Sequence, residues 1–177
     1  MVISSKTEEV TAYPGKTKFY SSLIDQIKSL TDGESNLICN LANCASLFYM
    51  EYKKYPDQFD VNWFGFYMVD KKKPSTLVLG PFMGNIACTR IPKGKGVCGT
   101  CMEKDETVIV KDVHEFPGHI ACDSASNSEI CVPVHNNKGD FACLIDVDSR
   151  SYSQFDDVDK CYLENVASII QNRCEWE

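Results

Sequence analysis

A hairpin signal in the second half of the chain constrains the fold more than any other feature. The sequence Asn-Asn-Lys-Gly at residues 136–139 separates two β-prone segments, residues 130–134 and 141–147. Asn and Gly tolerate the positive φ angles of tight hairpin turns, so the two segments are predicted to pair as antiparallel strands. The turn also fixes which side chains share a face of the sheet, because side chains alternate along a strand.

This predicted register brings acidic side chains together. Asp146 and Asp148 lie two residues apart and therefore share one face of their strand, and Glu129 lies roughly opposite them across the turn. Three adjacent carboxylates repel one another, which raises the pKa of at least one unless a ligand ammonium or a metal ion neutralises them. The alternative is that the acids face solvent at strand ends.

A second strand pair is predicted upstream. Residues 61–69 are aromatic and β-prone, and residues 76–82 repeat that character after a Lys-Lys-Lys-Pro turn. Alternation places Trp63 and Tyr67 on one face, where they would form an aromatic wall or part of an ordinary core. The opposite face receives the other side chains of this strand: Asn62, Phe64, Phe66 and Met68.

Apolar residues at helical spacing predict helices at both ends of the chain. A first helix carries its apolar stripe over residues 20–30, and a second runs from a cap at Ser35 to Pro56. A last helix is predicted to open at Ser153, with Asp156 and Asp157 in its first turn. These helices are expected to be structural.

The middle of the chain holds two candidate reactive thiols. A glycine-rich turn leads into a short helix that carries Cys98 and Cys101, and the start of a helix is expected to lower a thiol pKa. The chain has no second C-x-x-C pair, so a structural zinc site is not favoured. Residues 107–110 are predicted to form a strand, and a long loop at residues 112–128 carries Cys122, the better candidate nucleophile.

Composition excludes several classes of partner. The net charge of -7 and the pI near 5.0 disfavour nucleic acid and anionic membranes. No secretory signal or membrane-spanning stretch is found, so the expected location is the cytoplasm, with the nucleus as a second compartment. We expect a single domain over residues 1–177, with residues 1–16 as a mobile N-terminal segment.

A series of motifs resembles one protein family in both identity and spacing. The motifs include Trp-Phe-Gly-Phe-Tyr at residues 63–67, Ala-Cys-Thr-Arg-Ile at 87–91, Gly-Lys-Gly-Val-Cys-Gly at 94–99, the loop at 112–123, Ser-Glu at 128–129 and Asp-Val-Asp-Ser at 146–149. From about residue 19 onwards the chain resembles the free methionine-R-sulfoxide reductases, which are single GAF-domain enzymes. The resemblance implies an α/β (α+β) GAF-like fold. Its central antiparallel sheet would have about six strands with helices on one side, and the N- and C-terminal helices would pack together.

The resemblance also implies an activity and roles for individual residues. The activity is thiol-dependent reduction of free L-methionine-(R)-sulfoxide, in which Cys122 attacks and becomes a sulfenic acid. Cys88 is then the resolving thiol that forms the disulfide, with Cys98 as an alternative partner or relay. The substrate-binding residues implied by the family are Trp63, Tyr67, Glu129, Asp146 and Asp148.

The family further implies the partners of the protein. No bound cofactor or metal is expected, and thioredoxin or another dithiol would supply electrons. A homodimer is expected, without nucleic-acid or membrane partners. The alternative is a non-catalytic GAF small-molecule-binding sensor, which would not require Cys122. A metal site at the three acids is given little weight.

The remaining cysteines are expected to be structural. Cys101 departs from the family pattern and either pairs with Cys98 or, as we favour, fills the buried side of its helix. Core positions are predicted for the others: Cys39, Cys44, Cys131, Cys143, Cys161 and Cys174.

Overall fold

The computed structural model describes residues 13–118 and 123–176. Six strands form one sheet: β1 (Val61–Asp70), β2 (Lys73–Gly84), β3 (Arg90–Pro92), β4 (Val108–Val110), β5 (Ser128–His135) and β6 (Phe141–Ser149). The helices are α1 (Lys16–Leu30), α2 (Leu37–Lys53), α3 (Gly96–Lys104) and α4 (Asp157–Arg173), with a short 3-10 turn at Val113–Glu115. The strand order is β3-β2-β1-β6-β5-β4, and every neighbouring pair is antiparallel. The predicted GAF-like sheet is confirmed.

Both predicted hairpins form. In the β5–β6 turn, Gly139 has a φ of 87°, and the Asn136 side chain accepts hydrogen bonds from the backbone N–H groups of Lys138 and Asp140 at 2.9 and 3.0 Å. This is the chemistry that predicted the turn. Strand β3 was not predicted, because three residues are too few to show alternation.

Three helices cover one face of the sheet. Buried residues of α1, α2 and α4 form a single hydrophobic cluster with inward-facing residues of β1, β5 and β6. Helices α1 and α4 pack together, as expected, and a polar contact joins them. The buried carboxylate of Asp159 accepts a hydrogen bond from the Tyr20 hydroxyl at 2.6 Å and lies 2.5 Å from Lys16 Nζ.

The short helix α3 differs from the expected one-sided arrangement. It lies on the opposite face of the sheet, where Val97, Cys101 and Met102 pack with Tyr67 and Leu144 in a second hydrophobic cluster. The turn before α3 approaches its first turns so closely that a Cβ on Gly99 would collide with the carbonyl oxygen of Pro92. Glycine at this position therefore lets the helix sit against the sheet.

Two predicted helix starts are corrected. Helix α2 is capped by Asn36, not Ser35, since the Asn36 side chain accepts a hydrogen bond from the Cys39 N–H at 2.9 Å. Helix α4 is capped by Asp156 in a capping box with Asp159. Ser153 lies in the preceding turn with a φ of 52°. Several cap-forming residues precede each helix, and only the backbone geometry selects one.

The ends of the chain are described only in part. Most of the predicted mobile segment, residues 1–12, lies outside the described residues. Tyr13 already packs edge-on against Tyr55 and Phe59, with ring centroids 5.3 and 5.6 Å apart, so the packed part of the chain begins before residue 16. None of the described helices combines the length and the apolar character that crossing a bilayer would require.

Candidate active site

The predicted acidic residues meet on the α3 side of the sheet. Trp63 on β1 pairs with Asp148 on β6, which pairs with Glu129 on β5. Two residues earlier in β6, Asp146 lies beside Cys131. Glu129 and Asp146 are only 6% and 5% exposed, so the alternative of acids facing solvent does not hold for them.

An aromatic wall stands beside these acids, as the alternation along β1 predicted. The indole of Trp63 stacks with Phe82 and with Tyr67, at centroid distances of 5.2 and 5.9 Å. Its Nε1 donates a hydrogen bond to the Asn85 carbonyl at 3.1 Å. A Cβ on Gly65 would lie 2.5 Å from the Trp63 ring. Glycine at this position therefore allows the indole to lie flat along the strand.

The wall also holds the segment that carries Cys88. The Tyr67 hydroxyl donates a hydrogen bond to the Cys88 carbonyl at 2.9 Å. Cys88 is disulfide-bonded. Cys98 and Cys101 are both free thiols, so they do not pair with each other. Cys101 is fully buried on its helix, as favoured from the sequence.

A β-bulge corrects the predicted position of Asn62. The register shifts between Val61 and Trp63, so that Val61 and Phe64 both face the three long helices. Asn62 instead turns towards the loop before β5, where its Nδ2 donates to Asp123 Oδ2 at 3.2 Å and to Ser126 Oγ at 3.0 Å. A bulge inserts one residue and breaks the simple alternation on which the prediction relied.

Both described ends of the long loop are tethered to the site. Asp123 accepts a further hydrogen bond from Asn85 Nδ2 at 3.1 Å, and the Gly96 N–H donates to the Gly118 carbonyl at 3.2 Å. In the sequence, the predicted nucleophile Cys122 falls between Gly118 and Asp123, and it lies outside the described residues. Asp123 ends the loop motif at residues 112–123 but was given no role, and Asn85, which follows β2, had no signal in the sequence.

Two thiols and two carboxyl groups form a buried group that we call the thiol–acid cluster: Cys98, Cys131, Glu129 and Asp146. Cys131 Sγ lies 3.5 Å from Cys98 Sγ, 3.2 Å from Glu129 Oε1 and 3.5 Å from Asp146 Oδ1. Cys98 Sγ, in the first turn of α3, is 3.7 Å from Glu129 Oε1. All four ligand-type atoms lie within 4.8 Å of one another.

The assignment of Cys131 to the core was incomplete. Its thiol is fully buried, but it contacts acids rather than apolar side chains alone. The signal was available, because Cys131 follows Glu129 by two residues and therefore shares its face of the strand. The predictions for Cys39 and Cys161 are wrong, since both thiols are exposed on their helices.

Burial raises the pKa values of all three acids. It raises the pKa of Asp146 to about 6. Burial, together with the charges of its acidic neighbours, raises the pKa of Glu129 well above its ordinary value, and the pKa of Asp148 is raised in the same way. These shifts favour the protonated forms of Glu129 and Asp148, which can donate hydrogen bonds.

The pKa of the Cys98 thiol is shifted in the direction opposite to the prediction. A hydrogen bond with Cys131 lowers its pKa, but burial and the nearby carboxyl groups outweigh this and raise the pKa well above its ordinary value. The helix start was expected to lower it. A helix terminus contributes only partial charges, and it does not offset the loss of water around a buried thiolate.

These groups enclose a cavity of about 30 Å³. The residues that line its inner part are Trp63, Tyr67, Cys98, Glu129, Asp146 and Asp148. Asp123 and the 90% exposed Ile86 border its outer side. A cavity with a carboxylate floor and an aromatic wall can bind the cationic end of a small molecule and hold an apolar group against the rings.

Comparison with known proteins places this chain in a family. A model of the GAF domain matches residues 53–172. The chain is 45% identical to the free methionine-R-sulfoxide reductase of Saccharomyces cerevisiae over 92% of this chain and 89% of that protein. It is 41% identical to the Escherichia coli protein of the same name over 88% of each chain.

Structural comparison agrees with the sequence matches. The X-ray structure of free methionine-R-sulfoxide reductase from Neisseria meningitidis in complex with its substrate shares 40% identity with this chain. It aligns over 92% of both chains with a TM-score of 0.83. Identity at this level over nearly the whole length exceeds what a shared fold alone would explain. The chain belongs to the free methionine-R-sulfoxide reductase family of GAF-domain proteins.

Proposed function

We propose that this chain reduces free L-methionine-(R)-sulfoxide to methionine, using cysteine thiols as the reductant. The observation that carries the proposal is the row of buried acids beside the stacked Trp63 indole, because it matches the two ends of this substrate. The names of the relatives support the same substrate.

The acids select the free amino acid. The Asp146 carboxylate accepts charge-assisted hydrogen bonds from the substrate ammonium, deep in the cavity. Trp63 and Tyr67 hold the S-methyl group and so distinguish the two configurations at sulfur. Methionine sulfoxide within a peptide has no free ammonium, and its flanking residues would meet the cavity walls.

The chemical step transfers one oxygen atom and two electrons. Cys122 attacks the sulfoxide sulfur while a protonated carboxyl group, from Glu129 or Asp148, donates to the sulfoxide oxygen. Oxygen passes to the Cys122 sulfur, which becomes a sulfenic acid, and the substrate sulfur leaves reduced as methionine. The raised pKa values of Glu129 and Asp148 support this role, because they favour the protonated form that can donate.

The second step resolves the sulfenic acid. The Cys88 thiol condenses with it, which forms a Cys88–Cys122 disulfide and releases water. Thioredoxin or another external dithiol then reduces this disulfide. The disulfide-bonded state of Cys88 and the hydrogen bond from Tyr67 to its carbonyl support Cys88 as the resolving thiol. Cys98, a free thiol with a raised pKa, is the weaker candidate.

The test measures reduction of the R epimer, the S epimer and a blocked peptide, with dithiothreitol or thioredoxin as reductant. We compare the native protein with Cys122→Ser and with a matched control, Cys161→Ser, which removes an exposed thiol on α4. We expect activity on the free R epimer alone, abolished in Cys122→Ser and unchanged in Cys161→Ser.

Other outcomes would contradict the proposal in distinct ways. Activity in Cys122→Ser would move the attacking thiol to Cys98 or Cys88. An inactive native protein that still binds methionine sulfoxide would favour a non-catalytic sensor. Activity with dithiothreitol but not thioredoxin would leave the reductase in place and replace the proposed electron donor.

A further inference from the structure

The thiol–acid cluster contains more than the proposed reaction uses. The reaction requires carboxyl groups for the ammonium and the sulfoxide oxygen, and it gives Cys131 no role. Yet the Cys131 thiol lies 3.2–3.5 Å from side-chain atoms of Cys98, Glu129 and Asp146. Cys131 itself is fully buried. Two thiols and two carboxyl groups held this closely form a recognisable set of metal ligands.

Four of the distances between these atoms are close to the edges of a zinc tetrahedron. Zinc bonds of about 2.3 Å to sulfur and 2.0–2.2 Å to oxygen give tetrahedral edges of roughly 3.3–3.8 Å. Four of the six edges of the cluster measure 3.2, 3.5, 3.5 and 3.7 Å. The remaining two lie within 4.8 Å. The four measured edges therefore need to change by only a few tenths of an ångström to surround an ion.

The charge of the site also favours a cation. Within the described part of the chain, no lysine, arginine or histidine forms an ion pair with Glu129, Asp146 or Asp148. Buried carboxylates without a basic partner are costly, and a cation removes that cost. The adjoining cavity of about 30 Å³ exceeds the space that one water molecule needs, so an ion has room to enter.

We propose that Cys98, Cys131, Glu129 and Asp146 bind one Zn²⁺ ion tetrahedrally at the floor of the active-site cavity. The two thiols, together with Glu129 when it is protonated, lose their protons to solvent on binding, and the sulfurs select zinc over calcium or magnesium. Zinc occupies the place of the substrate ammonium, so it inhibits the reductase competitively. That last consequence rests on the proposed function, whereas zinc binding itself does not.

Direct titration tests the site without any activity assay. The protein is used with the Cys88 disulfide intact and without added reductant, in a Cys39→Ser, Cys161→Ser background that lacks the two exposed thiols. Co²⁺ is added first, and the thiolate-to-cobalt charge-transfer band and the tetrahedral ligand-field bands are recorded. Zn²⁺ is then used to displace cobalt. We expect one equivalent of either metal and a band intensity typical of two thiolates.

A matched pair of variants assigns the ligand. Cys131→Val removes the proposed ligand, and Cys143→Val makes the same change at an equally buried cysteine that faces the three long helices. Zinc affinity should fall by at least about 100-fold in Cys131→Val and stay native in Cys143→Val. Circular dichroism checks folding, and Cys131→Ser replaces Cys131→Val if the latter does not fold.

The outcomes separate this proposal from the proposed function. Absence of the charge-transfer band, or equal weakening in Cys131→Val and Cys143→Val, overturns the zinc site whatever the reductase activity. Zinc binding that free methionine-R-sulfoxide weakens supports both proposals. Zinc binding that methionine-R-sulfoxide does not affect retains the metal site and contradicts the placement of the substrate ammonium.

Discussion

The two faces of the sheet are built from the same strands but differ in the side chains that they bury. On the face towards α1, α2 and α4, side chains such as Phe48 and Phe64 stack at 4.8 Å within a continuous apolar cluster. On the α3 face, the same strands carry Glu129, Asp146 and Asp148 into a cavity. One face therefore stabilises the fold, and the other holds polar groups that burial makes costly.

Two buried acids show the difference most clearly. Asp159, at the helix-covered face, is paired with Lys16 Nζ at 2.5 Å and accepts a hydrogen bond from Tyr20 at 2.6 Å. Asp146, on the other face, contacts the Cys131 thiol and has no basic partner among the described residues. A buried acid whose charge is already paired is structural, whereas one without a cation is available to a ligand.

The largest effect on stability is expected from the helix-covered face. Phe64→Ala removes a fully buried ring and should lower the free energy of unfolding by about 3–5 kcal/mol. The KM of the fraction that remains folded should not change, because Phe64 faces away from the cavity. Urea denaturation and steady-state kinetics measure the two quantities. A loss below about 1 kcal/mol would contradict the structural role of this face.

The second prediction concerns an acid of the cavity, where a substitution should lower activity rather than stability. Asp146→Asn should lower kcat/KM about 100-fold, since it removes a charged acceptor for the ammonium. The matched variant Asp159→Asn should lower the melting temperature and leave kcat/KM unchanged. Similar behaviour of the two variants would contradict the distinction between paired and unpaired acids.

The stability of the same Asp146 variant should depend on pH differently from that of the native protein. Folding raises the pKa of this carboxyl to about 6, from about 3.9 in an unfolded chain. The folded state therefore loses stability as the pH rises through this interval, and the neutral amide removes that loss. The melting temperature of Asp146→Asn minus that of the native protein should therefore be higher at pH 8 than at pH 5. A difference that does not vary with pH would contradict the burial of a charge at Asp146.

A smaller effect is expected from the aromatic wall. Gly65→Ala places a methyl group against the Trp63 ring and Phe82, which must shift. We expect KM for the sulfoxide to rise about 10-fold, equivalent to about 1.4 kcal/mol of binding free energy. Tryptophan fluorescence, measured in a Trp176→Phe background so that only Trp63 emits, reports the ring displacement independently of kinetics. A native KM together with a shifted emission would show that the wall does not position the substrate.

The smallest effect tests a helix end remote from the cavity. Asp156→Ala removes the cap and capping box of α4 and should lower the free energy of unfolding by about 1 kcal/mol. Activity should be native at temperatures where the protein is folded. Denaturant titration measures the first quantity, and a change in KM would show that the two faces of the sheet are coupled.

The sequence by itself determined the local patterns. The Asn-Asn-Lys-Gly turn and the two-residue period of strands predicted the β5–β6 pairing, and with it the row of Glu129 opposite Asp148. Helical periodicity predicted the long helices to within a few residues. These features depend on neighbours in sequence, so their physical cause is present in the chain before it folds.

Tertiary structure alone decided the features that join distant segments. The bulge that turns Asn62 towards Asp123, and the docking of α3 that brings Cys98 to 3.5 Å from Cys131, have no local periodic signal. The raised pKa of Cys98 follows from the same docking, because burial and neighbouring acids outweigh the helix start. Contacts between segments far apart in sequence set both the position and the ionisation of these groups, and only the folded chain contains them.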